Sequence, residues 1–205
     1  GGEYIKTVYN HLINNYLDAC SLVVFYDRHR FIDEWILETF KNPKIAVETI
    51  VHRHEIFDII KRHNIEVFYS GLPYHYKKDF FPNTVSVIGT IHGLRSIEQP
   101  IDTFTYKYFS GLDKIKKIIK KFCQSIEKHK EIRYMARCLE FLDKIICVSN
   151  HTRYAIAVYF PNCTKDIQVL YTPQKTSLDS RDVNSPFISG KYILLLSANR
   201  WDKNS

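Results

Sequence analysis

The sequence predicts an α/β fold, in which a mainly parallel, Rossmann-like doubly wound sheet carries helices on both faces. Apolar or β-branched runs, which are typical of buried strands, alternate along the chain with segments of helical spacing. Such alternation is typical of a parallel sheet. The chain has 205 residues, of which 45% are hydrophobic and 25% charged. This composition provides for a sizeable core and excludes a disordered chain.

The individual elements follow from periodicity and from turn residues. The helix over 55–63 is expected to end at Asn64, and the helix over 151–160 is stopped by Pro161, which cannot continue it. The predicted strands are 22–26, 65–69, 85–91, 144–148, 167–171 and 192–196. The predicted helices are 4–17, 31–40, 55–63, 113–142 and 151–160.

Both ends of the chain favour a piece of a two-domain protein. Gly1 and Gly2 run straight into a helical pattern, so we expect the first strand of the sheet to be missing. Glycines here would let the backbone turn off that strand near a ligand phosphate, although a tag scar explains them equally well. We predict a first domain over 1–174, a polar linker over 175–190, and the start of a second Rossmann-like domain over 191–205.

Charge and cysteine usage restrict the partners and the compartment. A net charge of +7 permits nucleic acid, anionic lipid or phosphorylated substrates. No RRM, KH or helix-turn-helix signature occurs, so nucleic acid is not an expected partner. Five scattered cysteines without a CxxC pair favour reduced thiols and a cytoplasmic location. No stretch approaches the roughly 18 apolar residues of a membrane span.

Much of the positive charge falls in the long predicted helix over 113–142, where lysines flank a single apolar stripe. Two interpretations remain open. The helix lies on the core through its stripe and exposes its lysines, or it docks on an anionic membrane surface, where each basic residue contributes roughly 1 kcal/mol. The stripe comprises Ile115, Ile118, Ile119, Phe122 and Ile126, and the lysines are Lys114, Lys116, Lys117, Lys120, Lys121, Lys128 and Lys130.

The residues that follow the strands are the best site candidates, because parallel sheets bind ligands at the carboxyl ends of their strands. His92 follows the strand over 85–91, and Gly93 lets the backbone bend there and a substrate approach, with Arg95 close behind. A lone histidine is more often structural. Ser149 and Asn150 follow the strand over 144–148, where they act as a helix cap or hold a ligand with the same amides.

Two cations, Arg200 and Lys203, lie just past the strand over 192–196 and suit an anionic ligand. A metal site is not expected. His52 and His54 are two residues apart, which on a helix would point them to different faces. No HExxH, GxSxG or Walker motif occurs, so zinc hydrolysis, a nucleophile elbow and P-loop chemistry have no support.

In their order along the chain, these pieces resemble the retaining group 4 of the GT-B glycosyltransferases. The resemblance covers nearly the whole chain, and it rests on five segments that are individually loose. They are Gly1-Gly2 opening a helix with Asn10 and Leu12, then VIGTIHGLR over 87–95, KIICVSNHTR over 144–153, IQVLYTP over 167–173 and YILLLSANRWDKN over 192–204.

The resemblance implies two Rossmann-like domains that face each other across a cleft, the first binding acceptor and the second a nucleotide sugar. Gly1 and Gly2 would face the donor diphosphate, His92 would lie near the transferred sugar, and Arg200 and Lys203 would hold the diphosphate without a metal or other cofactor. The donor domain's paired glutamates are not in this sequence. The chain alone is therefore expected to be inactive.

The implied reaction is transfer of a sugar, with retained configuration, to a saccharide or lipid-linked acceptor in bacterial surface polysaccharide synthesis. The enzyme would act in the cytoplasm, peripherally on the inner face of the plasma membrane. Gly93, Arg95, Ser149 and Asn150 are the acceptor-side candidates. Two alternatives stay open: a sugar-nucleotide epimerase on a related fold, and a non-catalytic basic binding module.

Overall fold

The computed structural model describes residues 2–27, 32–99 and 105–171. Helices and strands alternate along these residues, as the sequence predicts. Short 3₁₀ turns lie at Pro73–His75, Lys78–Phe80 and Thr105–Tyr108. The elements in chain order are α1 Gly2–Asn15, β1 Leu22–Asp27, α2 Glu34–Thr39, β2 Ile45–Ile50, α3 Glu55–Arg62, β3 Val67–Ser70, β4 Ser86–Ile91, α4 Arg95–Glu98, α5 Gly111–Phe141, β5 Lys144–Cys147, α6 Asn150–Tyr159 and β6 Asp166–Val169.

All pairings between the described strands are parallel. β1 pairs with β2, in a register that runs from Leu22 opposite Ile45 to Asp27 opposite Ile50. The other four strands form a second sheet in the order β3-β4-β5-β6. The prediction of an α/β fold with parallel sheets is therefore confirmed, and the fold is compatible with a Rossmann-like architecture.

The described strands form two sheets because β1 and β3 do not hydrogen-bond to each other. Their side chains nevertheless meet. The Phe25 ring of β1 packs edge-on against the Phe68 ring of β3, with 5.6 Å between centroids. Phe68 belongs to the buried core cluster, and the partly buried Phe25 packs against that cluster.

The core lies around β4 and β5, which have a strand on either side in the four-stranded sheet. Its fully buried members come from both strands and helices, and they include Ile56 and Ile60 of α3, Ile91 of β4, Ile145 of β5 and Ile156 of α6. Close packing also explains a glycine in β4. A Cβ at Gly89 would lie 2.7 Å from Leu142 Cδ2 and 2.9 Å from Pro73 Cγ, so only glycine fits without displacement.

Predicted and observed elements agree to within about three residues at most ends, where assignments commonly differ. β2 was missed. Among the described strands it pairs only with β1, and the polar residues Glu48 and Thr49 interrupt its apolar run. The predicted strand over 192–196 and the domain boundary after 174 lie outside the described residues.

The position of α5 does not agree with the interpretation in which its apolar stripe packs on the core. The carboxyl-terminal half of α5 joins the core through Met135, Cys138 and Leu139. Three members of the predicted stripe face outward, since Ile115, Ile119 and Ile126 are 54%, 58% and 59% exposed, and Leu112 beside them is 75% exposed. These residues therefore do not pack on the core. No described helix is long and apolar enough to cross a bilayer.

Candidate functional site

His92 lies at the carboxyl end of β4 and is held from three sides. Its Nε2 lies 2.9 Å from the Gly71 carbonyl oxygen, which follows β3. Its backbone N–H donates to the Tyr74 hydroxyl at 3.0 Å. Its ring packs edge-on against the Tyr4 ring of α1, with 5.6 Å between centroids. These contacts fix both the backbone and the ring of His92.

The contact with Gly71 determines the tautomer of His92. A carbonyl oxygen only accepts hydrogen bonds, so Nε2 carries the proton and donates it. Burial lowers the pKa of the imidazole, partly opposed by the hydrogen bond to Gly71. A neutral ring with protonated Nε2 leaves Nδ1 as a hydrogen-bond acceptor. The chemistry available at His92 is therefore acceptance of a hydrogen bond or proton at Nδ1.

The first turn of α1 lies against the carboxyl ends of β3 and β4. Tyr4 is 5% exposed and contacts His92. Ile5 packs so closely on Gly71 that a Cβ there would clash with Ile5 Cγ1. The start of this helix, which Gly2 opens, is thus brought to the edge of the sheet where His92 lies. A helix start presents free N–H groups, which suit anions.

A cleft of ≈ 540 Å³ opens next to the loop that follows His92. Its lining residues come from the loop after β4, from α4, from the connection between β3 and β4, and from α5. Gly93 and Arg95 both line it, together with Tyr74 and Glu131. Gly93 has φ 154°, a conformation that other residues rarely adopt, and open space lies where its Cβ would be. Two acceptor-side candidates therefore share one cleft, whereas His92 is not among its lining residues and its ring packs against α1.

Ser149 caps α6. Its Oγ accepts a hydrogen bond from the Thr152 backbone N–H at 3.1 Å, so the capping interpretation accounts for this residue. Asn150 is exposed and donates from Nδ2 to the Tyr171 hydroxyl at 2.8 Å. Neither residue lines the cleft beside His92.

α6 is nevertheless tied to the element that carries Arg95. His151 Nε2 of α6 lies 2.8 Å from a Glu98 carboxylate oxygen of α4. The His151 side chain is 76% exposed, so this contact contributes little to stability in water. The contact positions the start of α6 near the end of α4.

Gly1, Arg200 and Lys203 lie outside the described residues, and their roles stay predictions. Gly2 is the first residue of α1. The described residues thus bring together His92, Gly93 and Arg95, with the first turn of α1 beside them. They do not bring Ser149 and Asn150 into the same cleft.

The side chains of His52 and His54 lie together, although their spacing on a helix would point them to different faces. The two residues precede α3 rather than lying within it, and their rings stack with 5.4 Å between centroids. Among the described residues, no group of three or more His, Cys, Asp and Glu side chains is placed to hold a metal ion.

A second cleft, of ≈ 600 Å³, lies at the amino-terminal ends of β1 and β2, where Leu22 begins β1 and Ala46 is the second residue of β2. His63 and Lys44 line it as well. Ligands of parallel sheets bind at the carboxyl ends of the strands, so its position makes this cleft the weaker candidate.

Sequence reasoning missed the residues that hold His92, namely Tyr4, Gly71 and Tyr74. One signal was available. Ser70-Gly71-Leu72-Pro73 is a turn at the carboxyl end of a predicted strand. Gly71, like Gly93, is therefore a glycine that follows a strand and lets the backbone bend there. Nothing in the sequence pattern marks Tyr4, since its spacing fits any apolar helix face.

Comparison of the chain with protein-family models, with curated proteins and with solved structures finds no match.

Proposed function

We propose that this chain is the acceptor-side half of a retaining GT-B glycosyltransferase. The observation that carries the proposal is His92 at the carboxyl end of β4, held by Gly71 and by the first turn of α1, with Gly93 and Arg95 of the cleft following it in the chain. Carboxyl ends of parallel strands are where such sheets bind ligands. Fixing both the ring and the backbone of one histidine there is typical of a positioned functional group.

In the proposed enzyme, His92 lies next to the transferred sugar. Nε2 is committed to Gly71, so Nδ1 would accept a hydrogen bond from a sugar hydroxyl. The pKa lowered by burial keeps the ring neutral near pH 7, which preserves the Nδ1 lone pair. His92 would therefore orient the donor sugar.

The departing nucleoside diphosphate gains negative charge on its oxygens. We propose that Arg200 and Lys203, with the amides at the start of α1, stabilise this charge without a metal ion. The cleft lined by Gly93 and Arg95 would receive the acceptor, a saccharide or a lipid-linked saccharide. The resemblance of the motifs is the basis for proposing that the reaction retains the anomeric configuration and belongs to bacterial polysaccharide synthesis.

The break in strand pairing supports a further part of the proposal. A parallel strand inserted between β1 and β3 would pair with both and join the two sheets into one. A strand leading into α1 suits this place, because the first turn of α1 lies at the carboxyl end of β3. We propose that the complete sheet has such a strand, followed by the glycines at its end.

The test uses the complete protein with its nucleotide-binding domain, incubated with a panel of uridine, guanosine and adenosine diphosphate sugars and lipid-linked saccharides. The proposal predicts release of nucleoside diphosphate, and a product whose anomeric configuration, determined by NMR, matches that of the donor. Interconversion of the sugar on its nucleotide without transfer would instead identify an epimerase.

A further inference from the structure

α5 carries apolar residues on two different sides of the helix. At 3.6 residues per turn, the core-packed Met135, Cys138 and Leu139 share one side. The exposed Leu112, Ile115, Ile119 and Ile126 share a strip about 60° wide that lies roughly 160° away. The packing that buries the carboxyl-terminal half therefore cannot cover this strip. We call the strip, from Leu112 to Ile126, the outer stripe.

Aromatic residues extend the outer stripe beyond the start of the helix. Tyr108 is 86% exposed and precedes Leu112 by one turn. Phe109 is partly exposed, and the Lys117 Nζ lies 4.9 Å from the centroid of its ring. Aromatic rings beside basic groups are typical of residues at the interface between a bilayer and water.

Beyond the outer stripe, the same side of α5 becomes basic. Lys130, Arg133 and Arg137 are exposed and continue the line of the stripe toward the carboxyl end of the helix. Glu140, also exposed, is the carboxylate nearest to this line. Lys116 is exposed on one flank of the stripe, where its ammonium lies 3.4 Å from Asp113 Oδ1. One side of the helix thus joins an exposed apolar strip to a row of cations.

We propose that this side of α5 docks on the surface of an anionic lipid bilayer. The outer stripe enters the boundary between headgroups and acyl chains, and the basic side chains contact acidic headgroups. The proposal does not depend on the function proposed for His92.

Charge selects lipid over a second copy of the chain. If two copies met through this side, Lys130, Arg133 and Arg137 of one copy would lie near cations of the other copy. Those cations would be the same three residues or the basic residues beside the stripe. Like charges brought together oppose such an interface. Acidic lipid headgroups complement the same cations, and the net charge of +7 acts in the same direction.

The first experiment is co-sedimentation of the 205-residue chain with vesicles of phosphatidylcholine, with and without about a third of phosphatidylglycerol. We expect binding to the anionic vesicles. The double variant Ile115→Glu/Ile119→Glu should weaken the partition coefficient by at least about tenfold, because two inserted side chains become charged. The control Tyr154→Glu/Val158→Glu changes two exposed apolar residues of α6 and should bind like the wild type.

Charge is tested separately. Arg133→Glu/Arg137→Glu should weaken binding to anionic vesicles by about tenfold or more. Lys41→Glu/Lys61→Glu changes the net charge equally at exposed positions elsewhere and should weaken it by less. Equal losses in the two variants would mean nonspecific attraction and would overturn the proposal, as would failure of the wild type to bind.

A site-specific readout distinguishes insertion from adsorption. Cys123 is exposed and lies on the outer stripe between Ile119 and Ile126, whereas Cys20 is exposed outside α5. An environment-sensitive fluorophore on Cys123, in a Cys20→Ser background, should shift to the blue on anionic vesicles. The same dye on Cys20, with Cys123→Ser, should not.

An unshifted Cys123 dye on vesicles that bind the protein would overturn the proposal. The proposal would also be overturned if the wild-type chain bound no vesicles but formed a dimer in light scattering, and Ile115→Glu/Ile119→Glu dissociated that dimer. In that case the stripe would be an interface between copies. Circular dichroism melting confirms that each variant is folded.

Discussion

Gly89 offers a quantitative test of how β4, the strand that leads to His92, packs in the core. In Gly89→Ala, the new Cβ would lie 2.7 Å and 2.9 Å from the two Leu142 δ-carbons and 2.9 Å from Pro73 Cγ. Carbon atoms in contact normally lie about 3.5 to 4.0 Å apart, so each contact is too short by more than half an ångström. Leu142 is fully buried and has little room to move away.

The expected loss of stability follows from two opposing terms. Overpacking a well-filled core costs about 1–3 kcal/mol. Replacing glycine by alanine inside a strand recovers roughly 0.5–1 kcal/mol. The net destabilisation of Gly89→Ala should therefore lie between about 0 and 2.5 kcal/mol, with a centre near 1 kcal/mol. For a chain of this size, about 1 kcal/mol of destabilisation lowers the melting temperature by roughly 2–4 °C.

Urea unfolding of a double-mutant cycle is the assay. Leu142→Ala alone should cost about 2–5 kcal/mol, because it leaves a cavity. In Gly89→Ala/Leu142→Ala the clash with Leu142 is relieved while the one with Pro73 remains, so the double variant should be more stable than the sum of the single changes by about 1 kcal/mol. Strict additivity, or a Gly89→Ala protein at least as stable as the wild type, would refute this packing of Leu142 on β4.

The remaining predictions concern the site. Gly71→Ala should displace Ile5 and the first turn of α1, which changes the NMR resonances of His92; unchanged resonances would contradict that contact. Nitrogen-15 NMR of His92 should show an Nε2-protonated neutral tautomer that titrates below the ordinary pKa of 6.5, so its contribution to stability is lost as the pH falls below that value; a higher pKa would contradict its burial. Ser149→Ala should lower the free energy of unfolding by about 1 kcal/mol through loss of the α6 cap, and an unchanged value would mean the cap is dispensable. In the complete protein, Arg200→Ala and Lys203→Ala should each weaken nucleoside diphosphate binding by about tenfold to a hundredfold in calorimetry, and wild-type affinity would remove their phosphate role.

The sequence predicted the elements of the fold well because burial leaves a periodic signal. α3 shows this clearly, since Ile56, Ile59 and Ile60 recur at helical spacing and are all buried. β2 escaped prediction because one of its edges has no described strand beside it, and such a strand tolerates polar residues such as Glu48.

The candidate site was predictable in position but not in its contacts. A strand followed by His92 and Gly93 indicated a functional edge of the sheet. That Gly71 accepts a hydrogen bond from His92 depends on how β3 and β4 pair, across 21 residues of chain, and no local pattern encodes it. Similarly, the stripe of α5 shows that an apolar face exists, but the pattern alone does not say whether the core covers it.

Steady-state kinetics of His92→Ala in the complete protein, with a matched melting curve, tests the proposed site most directly. The account predicts a turnover number lowered about tenfold or more, at an unchanged melting temperature, because the group that orients the sugar is lost. The control His63→Ala, at the opposite edge of the β1–β2 sheet, should retain its turnover. Full activity in His92→Ala, or a loss matched by unfolding, would show that His92 is structural and would contradict the proposed site.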